Sequence, residues 1–207
     1  YWSEVANLIA HREESNGIAG DDEPYYRYKR TMVLRMLRKV DITNKSVLEV
    51  GCGPGGNLIE LNQRRPRKLV GADISNDMVH LAKKNVPKSI DIVKTNGTEL
   101  PFENTVFDIV ITATVLQHNT DEKMLHELIQ EICRVSSKNI VIFERIEVGV
   151  KGDDLCLVRP IDYYSKIFEK FGFKLLESEF INIRVSYYVC GIIRKVFNSK
   201  DRKEGEP

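Results

Sequence analysis

Glu49 stands two residues before Gly51 in the run Val47-Leu48-Glu49-Val50-Gly51-Cys52-Gly53-Pro54-Gly55-Gly56. The run reads as a short buried strand ending in a glycine-rich turn, with a helix starting just after. Gly51 and Gly53 carry no Cβ, so the turn can take positive φ and let the backbone approach a ligand closely. The spacing Gly51-x-Gly53-x-x-Gly56 fits the fingerprint of a dinucleotide site, in which a pyrophosphate sits at the following helix N-terminus. Asp73 ends the next expected strand, at the spacing of an acid that binds ribose hydroxyls. These features suit two ligand classes equally, and Glu49 does not. At ~4 Å and an effective dielectric of ~20, a carboxylate repels a phosphate charge by roughly 4 kcal/mol. Beside a cationic ligand the same interaction is attractive.

Further polar clusters follow. Asn96-Gly97-Thr98 has strong turn chemistry, and Thr112-Ala113-Thr114 ends an apolar run. His118 comes within a turn or two of that end, where an imidazole near an acceptor can take its proton. The run Tyr25-Tyr26-Arg27-Tyr28-Lys29-Arg30 is either an ordinary amphipathic helix face or a lid with Tyr25 and Tyr28 turned to a substrate. Arg159 and Tyr163 flank Pro160; they either pack or bind an acidic or hydroxylated molecule.

Alternating elements are expected to position these groups. Strands are expected at about 46–50, 68–73, 90–94, 107–112 and 139–144, and helices at about 57–63, 76–85, 122–135 and 161–171. Two last strand-like runs, near 174–180 and 187–196, lack a helix between them and are expected to pair antiparallel. Trp2, Val5, Leu8 and Ile9 share one face of an N-terminal helix, and a second helix follows Pro24. The alternation argues for a parallel sheet covered on both faces. The motifs lie at strand carboxyl ends, where such sheets bind ligands.

Taken in order, the glycine run, Val70-Gly71-Ala72-Asp73-Ile74-Ser75-Asn76-Asp77-Met78, Asn96-Gly97-Thr98-Glu99-Leu100-Pro101-Phe102, and Phe107-Asp108-Ile109-Val110-Ile111 with Val115-Leu116-Gln117-His118 resemble the class I S-adenosylmethionine-dependent methyltransferases of the small-molecule type. The resemblance runs from about Ser46 to Glu144. It implies an α/β, Rossmann-like, seven-stranded and mostly parallel sheet with helices on both faces, a last antiparallel strand and an N-terminal helical cap. It implies S-adenosyl-L-methionine as cofactor and S-adenosyl-L-homocysteine as product. That cofactor carries a sulfonium and an α-ammonium and no phosphate, which suits Glu49. By the same resemblance Glu49 holds the methionine part, and Gly51, Cys52 and Gly53 make the turn around it. Asp73 takes the ribose hydroxyls, while Ile74 and Met78 border the adenine, core packing on its helix being the other reading of Met78. Asn96 stands where the family commonly has an acid that accepts from the adenine amino group, with Gly97 and Thr98 supplying backbone N–H. Thr112, Ala113 and Thr114 face the cofactor, and His118 is the candidate base. The loop after the fifth strand usually shapes the acceptor pocket, which brings in Arg159 and Tyr163. Enzymes of this class that methylate exocyclic base nitrogens carry an Asn/Asp-Pro-Pro-aromatic tetrapeptide. This chain does not, and an oxygen acceptor is expected.

Composition narrows the field. The 207 residues include 31 basic and 30 acidic side chains, so no bulk field draws the chain to nucleic acid or a membrane. The four cysteines (Cys52, Cys133, Cys156, Cys190) are scattered, as in a reduced cytoplasmic protein, and no spacing suggests a metal cage. No apolar run reaches the ~18 residues of a membrane span and no signal-peptide pattern is visible. The expected layout is a helical cap over 1–45, a cofactor-binding core over 46–197 and a polar tail over 198–207. The expected function is methyl transfer to a small molecule. The alternatives are a methyltransferase acting on protein or RNA, a nicotinamide-dependent Rossmann oxidoreductase, and a binding module without turnover.

Overall fold

The computed structural model describes residues 1–11 and 24–181, the side chains of 24–27 excepted. The chain divides into two compact units, one of Tyr1–Ile18 and Ile42–Leu176, the other of Ala19–Asp41 and Glu177–Pro207.

The first unit is built on a five-stranded sheet: β1 (Ser46–Val50), β2 (Lys68–Asp73), β3 (Asp91–Lys94), β4 (Phe107–Ala113) and β5 (Ser136–Phe143). The order is β3-β2-β1-β4-β5 and every pairing is parallel. The central strand β1 is buried at all five positions, including Glu49, as expected of a parallel strand covered on both faces. The helices are α1 (Trp2–Ala10), α3 (Gly56–Asn62), α4 (Asn76–Asn85), α5 (Glu122–Val135) and α6 (Ile161–Lys170). In α5, Leu125, Leu128, Ile129, Ile132, Cys133 and Val135 are buried, a helical stripe that packs on Leu48, Val50, Val70 and Val110 of the sheet. Asp121 and Ser75 cap α5 and α4 by accepting from the backbone N–H groups of Met124 and Met78. The chain reverses its winding between β1 and β4, so the ligand crevice of such a sheet lies outside their carboxyl ends.

Two expectations need correction. Among the described residues the sheet has five strands and not seven; a separate antiparallel pair, β6 (Lys151–Gly152) and β7 (Leu157–Val158), follows β5. Residues 174–180 form no strand, and Leu175, Leu176 and Phe180 are exposed. A strand needs a neighbour for its backbone groups, and the run expected to supply one, 187–196, lies outside the described residues. β5 also begins earlier than expected, because α5 passes into it without a loop. The second unit contains α2 (Pro24–Leu37), on which Tyr28 is exposed. No helix among the described residues is long and apolar enough to cross a membrane.

At the amino ends of β1 and β4, Asp108 ties the two strands together. The Ser46 N–H donates to its carboxylate at 2.9 Å, and Lys138 Nζ lies 3.1 Å from its other oxygen. The Ser46 N–H first, and Lys138 with it, hold the Asp108 carboxyl down at about 2. Replacing Asp108 with Ala leaves Ser46 without its acceptor, and we expect a loss of about 1–3 kcal/mol of stability near neutrality. Because the carboxyl lies below its ordinary value of 3.8, its contribution is present above that value and disappears as pH falls through about 2. Thermal unfolding of both proteins across this range checks the expectation: the difference in midpoint narrows as pH approaches 2.

Candidate functional site

The glycine turn closes β1. Gly51 and Cys52 both donate their N–H to the Ala72 carbonyl, at 2.7 and 3.1 Å, which locks the turn to β2. Gly51 has φ +71°, and a Cβ there would meet Val115 Cγ2 at 2.2 Å. Backbone conformation and space thus both demand glycine at this position. Glu49 is 1 % exposed. Its Oε1 accepts from Asn57 Nδ2 of α3 at 2.8 Å, while Oε2 is buried without any donor. Burial, with a smaller push from Asp73, raises the Glu49 carboxyl to about 8, against the opposing hydrogen bond from Asn57. Cys52 is buried beside these acids. Its thiol is pushed well up by burial, then by Glu49 and Asp73, so it is no nucleophile.

Asp73 closes β2 and holds two loops at once. Oδ2 accepts from the Gly53 N–H and Oδ1 from the Ser75 N–H, both at 2.8 Å. Burial raises its pKa, and those backbone donors and Lys94 oppose the rise. Ile74 is 45 % exposed and lies against Gly97, where a Cβ would meet Ile74 Cδ1 at 2.6 Å. Two expected adenine contacts are not aimed at a ligand. Met78 is a core residue, 1 % exposed, packed with Ala6, Ile9 and Leu81, because it sits on the α4 face that α1 covers. The Asn96 side-chain carbonyl accepts from the N–H groups of Thr98 and Glu99, at 3.0 and 2.7 Å. It closes its own turn, which is the local bonding that Asn-Gly sequences favour. This loop is held from outside by Arg134 of α5, which donates to the Phe102 and Leu100 carbonyls, and by Glu131, which accepts from the Leu100 N–H.

Across the crevice, β4 ends at Thr112, Ala113 and Thr114. Thr112 is buried and its hydroxyl has no hydrogen-bond partner. Thr114 has φ +57°, a left-handed conformation uncommon outside glycine, and its N–H reaches the Phe143 carbonyl at 2.7 Å. A single-turn 3-10 helix, Leu116–His118, follows. Glu144, just past β5, accepts from the N–H groups of Val115, Leu116 and Gln117, at 2.9–3.1 Å, and so caps this turn. The Gln117 amide oxygen accepts from the Arg145 N–H, which directs its Nε2 to His118 Nε2 at 3.3 Å. His118 Nδ1 lies 2.9 Å from the Leu155 carbonyl, which can only accept, so the proton of the neutral ring sits on Nδ1. Gln117 lies within the motif Val115-Leu116-Gln117-His118 and Glu144 at the end of the resemblance, but their roles were not legible in the sequence, since the backbone groups they bind are made neighbours by the β4–β5 pairing.

Of the expected acceptor-side residues, Arg159 and Tyr163 are committed to contacts within the first unit. Arg159 is 0 % exposed; its guanidinium serves Glu122 and the carbonyls of Leu116, Leu157 and Asn119. Burial acts to lower its pKa, and the bond to Glu122 raises it; the outcome is upward. Every donor is taken because this cation ties α5, the 3-10 turn and β7 together, so none is left for a ligand. The Tyr163 hydroxyl bonds to the same Glu122, and its ring lies under Arg159 at 5.4 Å. Tyr28 belongs to the second unit, and the Tyr25 side chain lies outside the described residues.

A parallel sheet with this winding, a glycine turn after β1 and an acid at the end of β2 defines a nucleotide-cofactor-binding α/β domain. Residues 47–139 match the family described as "Methyltransferase domain". Over that segment the chain is similar to the class I S-adenosylmethionine-dependent methyltransferases, whose cofactor is S-adenosyl-L-methionine. It is 32% identical over 92 residues to a demethylmenaquinone methyltransferase of Lactococcus lactis, covering 42% of this chain and 36% of the relative. It is 29% identical over 157 residues to a carboxy-S-adenosyl-L-methionine synthase of Campylobacter jejuni, covering 74% and 66%. The chain spans about a third of the length of the first curated relatives it matches. The magnesium protoporphyrin IX methyltransferase of Synechocystis PCC 6803 with bound S-adenosylhomocysteine shares the fold, with a TM-score of 0.64 over 85% of this chain and 86% of that one at 17% identity. The residues present fit the family's cofactor: Glu49 Oε2 is a buried acceptor without a donor, as an ammonium group requires.

A cation at Oε2 favours the ionised carboxylate, so binding near neutrality releases a proton. We expect the heat of S-adenosylhomocysteine binding to vary with the ionisation enthalpy of the buffer, and affinity to climb as pH rises towards about 8. In the free protein the raised carboxyl stabilises fully below its ordinary 4.5, and that contribution is lost as pH rises towards about 8. Glu49→Gln removes both dependences and weakens binding tenfold or more, ~1.4 kcal/mol per tenfold. Titration calorimetry in two buffers is the measurement.

Proposed function

We propose that this protein is an S-adenosylmethionine-dependent methyltransferase, that its acceptor is a small molecule, and that the acceptor atom is oxygen. The observation that carries the reading is Glu49, a buried carboxylate with one oxygen left without a donor beside a glycine turn. Such a group suits the α-ammonium of the cofactor and opposes a dinucleotide pyrophosphate. On this reading Glu49 with Gly51, Cys52 and Gly53 holds the methionine part. Asp73 holds the ribose hydroxyls with the lone pairs its two backbone donors leave free. Ile74, Gly97 and Thr98 border the adenine, and Ala113 and Thr114 border the crevice from β4. The bound cofactor supplies a methyl group made electrophilic by its sulfonium. The chain contributes orientation and exclusion of water, which together reach ~7–11 kcal/mol when two reactants are held in line.

A small-molecule acceptor is supported by the printed names of relatives, a demethylmenaquinone methyltransferase among them. An oxygen acceptor is supported by the sequence Thr112-Ala113-Thr114-Val115 at the end of β4, which lacks the tetrapeptide of enzymes that methylate exocyclic base nitrogens. His118 is the candidate base. With Nδ1 bonded to the Leu155 carbonyl, Nε2 is the basic nitrogen, and the Gln117 amide shares it.

The test is calorimetric titration with S-adenosylmethionine, S-adenosylhomocysteine and NAD in parallel. We expect about micromolar binding of the first two and none of NAD; binding of NAD alone overturns the reading. Asp73→Ala weakens cofactor binding tenfold or more, because it removes the ribose acceptor and releases the Gly53 N–H together. His118→Ala lowers turnover in an acceptor screen while leaving cofactor affinity nearly unchanged. A loss of cofactor binding in that variant removes His118 from the role of base.

A further inference from the structure

Helix α1 packs along α4, with Ala6 and Ile9 buried against Met78 and Leu81, and Trp2 and Val5 resting on the same cluster. Trp2 reaches further. Its ring meets the His118 ring edge to face, centroids 5.0 Å apart and planes at 89°. The two ends of this contact belong to opposite sides of the sheet's switch point. α4 follows β2, the 3-10 turn with His118 follows β4, and β1 lies between β2 and β4. Trp2 therefore bridges elements that follow the two strands flanking β1, the strand whose carboxyl end carries the Gly51–Gly53 turn. His118 is gripped from a second direction as well. Its Nδ1 bonds to the Leu155 carbonyl, and neighbouring Thr120 donates to the Asp154 carbonyl at 3.1 Å. Asp153 shapes that loop by accepting from the N–H groups of Leu155 and Cys156. One imidazole therefore joins the strap over the crevice to the loop beside it.

We infer that Trp2 is a positioning residue that closes the cofactor crevice: clasped on His118, it bars entry and exit of the cofactor and keeps water from the place where methyl transfer occurs. This rests on the proposed cofactor. The clasp is suited to opening. An edge-to-face aromatic pair adds only a small term beyond the area it buries, and active-site lids open on microsecond to millisecond timescales. The rest of α1 stays anchored through Ala6 and Ile9.

Trp2 is the sole tryptophan of the chain, so its emission reports the clasp directly. We expect S-adenosylhomocysteine to change Trp2 fluorescence in the unmodified protein. Surface plasmon resonance on the immobilised full chain then compares the unmodified protein with Trp2→Ala and Trp2→Phe. In Trp2→Ala both the association and the dissociation rate constants rise, dissociation by about tenfold, while the equilibrium constant moves less than either. Trp2→Phe, which keeps an aromatic edge for His118, returns both rates towards the original. Circular dichroism shows whether each variant is folded; if Trp2→Ala is not, Trp2→Phe and Trp2→Leu decide on the same criterion. Unchanged rates overturn the inference, and so does a rise in dissociation alone, which marks Trp2 as a plain contact residue. Failure of the unmodified protein to bind S-adenosylhomocysteine at all overturns the cofactor reading and this inference with it, an outcome distinct from binding at unaltered rates.

Discussion

A carboxylate on the central strand of a parallel sheet is the constraint around which this unit is arranged. Glu49 sits on a strand buried on both faces, where an isolated ionised group is strongly disfavoured. The fold supplies one donor, Asn57, and no second. The carboxyl therefore keeps its proton well above the ordinary range, to about 8. Replacing it with an apolar side chain would remove the desolvation penalty altogether. Its place at a glycine turn that leaves Oε2 without a donor is what the proposed cofactor role accounts for, since stability alone argues against it.

The rest of the site is organised by other carboxylates that accept from backbone N–H groups. Asp73 joins the glycine turn to the start of α4, Glu144 caps the turn bearing His118, and Glu131 with Arg134 fixes the loop after β3. Each loop at the carboxyl edge is thereby tied to a neighbouring element by charge-assisted bonds, which are stronger than neutral ones. Arg159 and Glu122 do the same deeper in the structure. Crevice walls set in this way need little rearrangement when a ligand enters, so more of the binding energy is available for orientation.

How legible this was in the sequence depended on the range of each interaction. β1, β2, α4 and α5 match the bounds expected from periodicity and caps, because their signals are local: Ser75 before α4, Asp121 before α5, an apolar run in β1. Glu49, the glycine turn and Asp73 were legible as a unit for the same reason, lying within one strand–turn–helix–strand unit. Met78 stayed open between the adenine and the core because its environment is set by α1, some seventy positions away in the chain. The sequence left Arg159 between packing and binding, because its four partner residues come from three separate elements. The strand expected at 174–180 failed on pairing, a property no single run contains. Asn96 shows the reverse: its turn chemistry was visible, and that chemistry, not a ligand, takes its carbonyl.

The proposed chemistry raises a problem of release that the two acids cannot solve. Substrate and product cofactors share the α-ammonium and the ribose, so Glu49 and Asp73 meet both alike. The difference between them is the sulfonium charge, and near-equal grip on the shared parts means that the product is held about as firmly as the substrate. Turnover then depends on a barrier that can be lowered without weakening the acids. A weak aromatic clasp on a well-anchored helix has that property: Trp2 can leave His118 while Ala6 and Ile9 stay in place against Met78 and Leu81. On the proposed reading this division separates affinity, set by buried carboxylates on the sheet, from exchange, set by one ring contact at its rim.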